Sequence, residues 1–340
     1  GSASINVLMQ NDTQMIEEVV VTALGIKRSE KALSYNVQQV NTDAITSNKD
    51  ANFVNSLSGK VAGVNINASS SGVGGVSKVV MRGTKGIDQS SNALYVIDGV
   101  PMFNLSGEGG QEFDSKGSSE AIADINPEDI ESINVLKDAA SAAIYGARAA
   151  GGVILVTTKK AKAGIPTLSY EGTYGIRQAT NLPEPLNAEE ELEMRKRSYA
   201  NANVTLPDGW NIEKNPWIGT TRTNWMDEIF RTAFYQRHNI ALNVGTDNYS
   251  SRLSFSFDND EGVLINTYNK NYAIRYNGKF DLNKWVSISE DLVWKNTENR
   301  SKDTNDAYTG PVLSAIYMPA SATVYNPLAG TWGGTTTEAP

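Results

Sequence analysis

The sequence predicts an α+β domain, a small mixed sheet with short helices, followed by antiparallel strands of a β-barrel that crosses a membrane. Three observations carry that expectation. A strand–helix–strand pattern occupies residues 128–158, long alternating strands rich in Tyr, Phe and Trp begin near residue 164, and the connections between those strands are long and short in turn.

The first region, residues 1–25, reads as a short extended lead. In the second, 26–163, Ile133 and Val135 alternate as a short strand. Asp138 is placed as the N-cap of an alanine-rich helix with Gly146 as its C′ residue, and Val153–Val156 reads as a buried strand. Asp98-Gly99 after Leu-Tyr-Val-Ile is a hairpin turn signal. Gly72, Gly74 and Gly75 fail as a dinucleotide fingerprint because Ser77 stands where the third glycine belongs. Gly59-Lys60 fails as a P-loop because Val54 occupies the first glycine position, so these glycines read as tight turns.

The third region, 164–340, carries five strands. Leu168, Tyr170, Tyr174 and Ile176 alternate with polar residues, as do Ile240, Leu242 and Val244, then Leu253, Phe255 and Phe257, then Tyr272, Ile274, Tyr276 and Phe280. Val286, Ile288, Leu292 and Trp294 follow, with Glu290 out of phase. The expected connections are 178–235 (long), 246–249 (short), 259–271 (long) and 281–284 (short), the rhythm of an up-and-down membrane barrel. Tyr276, Phe280, Trp285 and Trp294 are placed near strand ends, where an aromatic girdle would sit. A soluble β-sandwich alternates as well, so the pattern favours the barrel without deciding for it. Residues 188–197 suit either a short solvated helix or a charged surface turn, the turn being the safer reading.

Composition removes several functions. The net charge of −8 argues against a nucleic-acid binder, which needs clustered cations. With no cysteine and His238 alone among histidines, thiolate metal sites, disulfides and His-based triads are out of reach, and His238 reads as structural. Asp258 to Gly262 reads as a solvated loop rather than a calcium site, because Gly262 falls on a ligand position. No cofactor is expected. A surface-exposed β-rich glycan-binding or adhesin module is the alternative function, and no pair of acids is placed for a hydrolase.

DIESINVLKDAASAAIYGARAAGGVILVTTKK (129–160) resembles the end of the plug domain of SusC/RagA-type TonB-dependent outer-membrane receptors. LSGKVAGVNI (57–66), VVMRGTKG (79–86) and ALYVIDGVP (93–101) match that plug in order, and EEVVVTALG (17–25) resembles its Ton box. The stretches 224–245 and 258–280 resemble its first barrel strands. On this resemblance 1–25 is the tail of an N-terminal extension with the Ton box, 26–163 the plug, and 164–340 an incomplete barrel.

The resemblance implies active import of an oligosaccharide or peptide across the bacterial outer membrane. TonB, with its ExbB/ExbD energising complex, and a SusD-like surface lipoprotein would be the partners. Glu17, Glu18, Val19, Val20, Val21, Thr22 and Ala23 would dock on TonB, and their β-branched run suits strand addition to a sheet edge. Arg82, Asp98 and Arg148 are candidates for polar contacts between plug and barrel wall, a merely solvated or intra-plug pair being the other reading of each. Phe103, Asn104, Glu112 and Phe113 lie in a long polar stretch that would touch substrate or serve as a disordered spacer. A plugged barrel of about 22 strands needs more chain than follows residue 163, which holds about five to seven strands at about 10 residues each. The sequence is therefore expected to be the N-terminal part of a longer polypeptide.

Overall fold

The computed structural model describes residues 19–21, 27–29, 37–41, 53–67, 72–74, 77–81, 83, 93–102, 125–138, 142–161, 164–302, 310–326 and 331–332. Strand β1 (Val19–Val21) pairs antiparallel with β2 (Lys27–Ser29), Val20 opposite Arg28. After β3 (Val37–Asn41) and the single turn α1 (Phe53–Ser56), β4 (Val64–Asn67) and β5 (Lys78–Met81) form an antiparallel pair. Strands β6 (Leu94–Ile97) and β7 (Val100–Pro101) are joined by Asp98 and Gly99, both at positive φ (48° and 89°), the turn that an Asp-Gly pair favours.

Strands β8 (Ile130–Leu136) and β9 (Val153–Thr158) complete a five-stranded sheet of order β3-β8-β9-β6-β7, in which only β6 and β9 run parallel. Its strands are apolar on both faces. Ile133, Ile154 and Val156 pack with Val54, Leu57, Met81 and Tyr95 on one side, and Leu136, Val153 and Leu155 with Ala142 and Ala149 on the other. Of the helix expected between Asp138 and Gly146, residues 139–141 lie outside the described residues. The Ala142 amide bonds to the Asp138 carbonyl (3.0 Å), and then two 3-10 turns follow, Ala143–Tyr145 and Ala147–Gly151. Gly146 between them sits at φ 71°, ψ −161°, which no α-helix can pass through.

Strands β10 (Gly164–Arg177), β11 (Ala233–Gly245), β12 (Tyr249–Glu261), β13 (Tyr268–Asn283) and β14 (Val286–Arg300) make an antiparallel meander in sequence order. Its register aligns Tyr170, Ile240, Phe255, Ile274 and Trp294 in one row and Leu168, Leu242, Leu253, Tyr276 and Leu292 in the next. These apolar rows face outward, with Ile240 43% and Leu253 47% exposed, while the opposite face buries Arg237, Asn239, Arg252, Ser254 and Arg275. That inversion is what hydrocarbon outside and a polar lumen inside require.

Loop lengths differ most from expectation between the third and fourth barrel strands. The connection between β12 and β13 spans only 262–267, because Asp258 and Asp260 continue the lumen-facing phase of β12. Asp258-Asn259-Asp260-Glu261 is thus strand rather than solvated loop, and its alternate residues point to opposite faces. Longer strands also move Tyr276 and Trp294 to mid-strand, away from a girdle, whereas Phe280 packs edge-on against Tyr249 (5.9 Å) near the tight turn that holds Trp285. Toward the long-loop end, His238 bonds Tyr170 through Nδ1 (2.8 Å) and stacks with Phe257.

The connection 178–232 is folded. Helix α2 (Ala188–Asn201), with a capping box between Asn187 and Glu190, takes the place of the expected charged turn. Leu192 buries against Trp210 and Ile218, which the isolated charge pattern did not disclose. Helix α3 (Trp225–Ile229) meets α4 (Pro311–Tyr317), where the Trp225 indole donates to the Pro319 carbonyl (2.9 Å), and β15 (Tyr325–Asn326) pairs with β16 (Thr331–Trp332).

Candidate functional site

The site is the seam between the mixed sheet and the lumen face of the meander. A 3-10 turn, Pro127–Asp129, opens β8 with Asn126 as its cap, the Asn126 side chain accepting from the Glu128 amide. This turn presents Asp129 to the wall. Asp129 Oδ1 accepts from Arg252 (3.0 Å) and Oδ2 from the Ser254 hydroxyl (3.2 Å), with both charged side chains more than nine-tenths buried. Arg252 also donates to Asn243 Oδ1 (3.2 Å), so the guanidinium fork is set by its own barrel neighbour.

The second contact lies on the adjoining rung, since Ser254 is register partner to Arg275. Asp98, in the β6–β7 turn, accepts from the Thr158 amide (2.9 Å) and hydroxyl (2.6 Å) at the end of β9. Arg275 of the wall reaches both Thr158 Oγ1 (3.0 Å) and Asp98 Oδ2 (3.4 Å). An exposed pair, Lys160 with Asp291 (3.9 Å), marks the tight-turn end of the seam. At the far end Asn299 donates to the Val73 carbonyl (3.4 Å) and to Asn269 (3.2 Å). Gly74 at φ 76° lies so close to these two amides that an added Cβ would overlap them.

Chemically, the seam holds without covalent chemistry. Buried charge pairs fix the inner domain while it is seated, and water can replace each partner once the two surfaces part. Among the described residues no group of three or more His, Asp or Glu converges as a metal site.

Of the residues singled out from the sequence, Asp98 lies in this seam. Arg148 is exposed on the turn Ala147–Gly151. Arg82, Phe103, Asn104, Glu112 and Phe113 lie outside the described residues, as do Glu17, Glu18, Thr22 and Ala23. Val19, Val20 and Val21 form β1. Sequence reasoning missed Asp129, Thr158, Arg252, Ser254 and Arg275. Arg252 and Arg275 carried a usable signal, since each is a cation in the polar phase of a strand whose other face is apolar.

An inside-out antiparallel sheet closed against a polar-seamed α+β domain defines a plugged outer-membrane β-barrel. Residues 29–153 match the sequence profile of the TonB-dependent Receptor Plug Domain. TonB-dependent receptor SusC of Bacteroides thetaiotaomicron is 31% identical over 312 residues, covering 91% of this chain and 29% of that protein. TonB-dependent receptor P3 of Formosa agariphila is 29% identical over 323 residues, covering 93% and 29%. Among solved structures, the RagAB peptide importer in its open-open state superposes with a TM-score of 0.69 at 26% identity, covering 84% of this chain and 33% of that one. The chain belongs to the TonB-dependent receptors, on the SusC/RagA side of that family, and so to the bacterial outer membrane. It spans less than a third of the length of the curated relatives just described, and these are receptors rather than enzymes.

Proposed function

We propose that the protein to which this chain belongs imports a nutrient, an oligosaccharide or a peptide, driven by TonB and its ExbB/ExbD complex and aided by a SusD-like surface lipoprotein. The observation that carries the reading is the seam. A plug pinned to a barrel wall by Asp129–Arg252 and Asp98–Arg275 blocks the lumen until something pulls it away. In this reading residues 1–25 hold the docking segment, 26–163 the plug and 164–340 the first barrel strands.

Glu17–Ala23 would bind TonB by strand addition. In support, β1 already takes part in strand pairing, with β2 its partner among the described residues, which is the backbone form that strand addition uses. A run of about six backbone hydrogen bonds, at about 0.5–1.5 kcal/mol each, would give docking that is firm yet reversible. Phe103, Asn104, Glu112 and Phe113 would face cargo from the plug.

A pull-down with the TonB C-terminal domain tests the docking segment. Val20→Pro removes a backbone donor in mid-strand and is expected to abolish capture; equal capture of wild type and variant would remove Glu17–Ala23 from the mechanism.

A further inference from the structure

The long connection leaving β10 contains Leu182-Pro183-Glu184-Pro185-Leu186. Each proline confines its own φ and holds the residue before it extended, so Leu182 and Glu184 are kept out of helix. This stretch forms one side of a cleft of about 680 Å³ whose other side is the Arg222–Asp227 segment, with Ala320 of the later connection also lining it. That volume lies within the range of small-ligand sites. The cleft is built in advance. The Thr223 amide donates to the Ala320 carbonyl (2.9 Å) and its hydroxyl to the Ala322 carbonyl (2.7 Å), which ties the two connections together.

Leu182, Pro183, Pro185, Leu186 and Met226 give the cleft an aliphatic lining, with no aromatic ring among its described lining residues. The one cation among its described lining residues is committed, since Arg222 donates to Glu189 (2.8 Å) and to the Thr221 carbonyl (2.8 Å). The acids are not. Among the described residues Asp227 accepts from the neutral Asn224 amide (2.6 Å) and neither it nor Glu184 has a cationic partner. An occupant must therefore bring aliphatic surface and positive charge together. A saccharide brings no positive charge and, among the described lining residues, finds no ring on which to stack its C–H face.

We propose that this cleft binds an extended peptide segment with basic side chains set among aliphatic ones. As a statement about cargo it rests on the importer reading; as a statement about binding it does not.

The test uses the complete protein in detergent and a fluorescein-labelled hexapeptide, Ala-Leu-Lys-Leu-Lys-Ala, followed by anisotropy. Binding is expected to weaken about five- to tenfold in the double variant Glu184→Gln with Asp227→Asn, and to fall with added salt. The same peptide with Glu in place of Lys is expected to bind more weakly than the basic one, and maltohexaose not to compete. Equal affinity for both peptides, no effect of the double variant, or displacement by maltohexaose would overturn the assignment. So would burial of the cleft under a co-purifying surface lipoprotein, read as lost thiol labelling of a Leu186→Cys variant. The TonB pull-down on the same preparations reports separately on the importer reading.

Discussion

Arg252 and Asp129 are 123 positions apart in sequence, yet each is the other's charge partner in a site closed to solvent. Removing one member of such a pair leaves a buried charge that water cannot reach while the plug is seated. Arg252→Ala is therefore expected to cost about 3–5 kcal/mol of plug seating, read as faster hydrogen exchange of the β8 amides in the complete protein. Arg252→Lys should recover only part of it, since a single ammonium cannot serve Asn243 and Asp129 with the geometry of a fork. Gly152 belongs to the same scale. At φ 98°, its missing Cβ would lie 2.5 Å from Met81 Sδ and 3.3 Å from the Leu136 carbonyl. Gly152→Ala should lower plug stability by about 1–3 kcal/mol from backbone strain alone, with the clash adding to it, measured as a fall in the plug's unfolding midpoint.

Strands β10–β14 are each read by two solvents, one per face. An outward arginine at mid-height must therefore enter hydrocarbon, whereas one near the tight turns can reach headgroups. Ile240→Arg is expected to cost about 2–4 kcal/mol of folding into lipid vesicles, and Val286→Arg about 0–1, in urea titrations monitored by tryptophan fluorescence. Equal costs at the two positions would contradict the membrane placement of the meander. The register supports that depth difference. Ile240 lies in the central row with Tyr170, Phe255, Ile274 and Trp294, and Val286 opens β14 directly after the turn. Helix α2 shows the complementary case: its charged exterior is stabilised from beneath by Leu192 on Trp210, with Arg195 over the indole at 5.0 Å.

At the scale of the molecule, the proposed import requires a plug that stays shut at rest and yields under pull. Asp129 Oδ2 and Ser254 Oγ approach within 3.2 Å across the seam, so Asp129→Cys with Ser254→Cys can be bridged by a short, reducible thiol cross-linker. Import by the complete, cross-linked protein is expected to stop and to return on reduction, with TonB capture unchanged throughout. Continued import after cross-linking would mean that cargo passes without the seam opening.

Much of this was legible beforehand. The period-two alternation of Leu253, Phe255 and Phe257 is a local property, and so is the turn chemistry of Asp98-Gly99. Both survived in the structure because every pairing they need lies within a few dozen residues. The errors were local judgements overruled by distant ones: Asp260 looked like loop because its lumen-facing role depends on Arg237 in β11, and α2 looked like a bare charged turn because Trp210 lies beyond its own sequence.

By itself the sequence determined the order of the parts, which face of each strand is greasy, and where the chain turns, since hydrophobic period and turn residues act over short range. Only the tertiary structure decided which plug acids meet which wall arginines. Asp98 and Arg275 stand 177 positions apart, and no local pattern encodes how a domain sits inside a lumen.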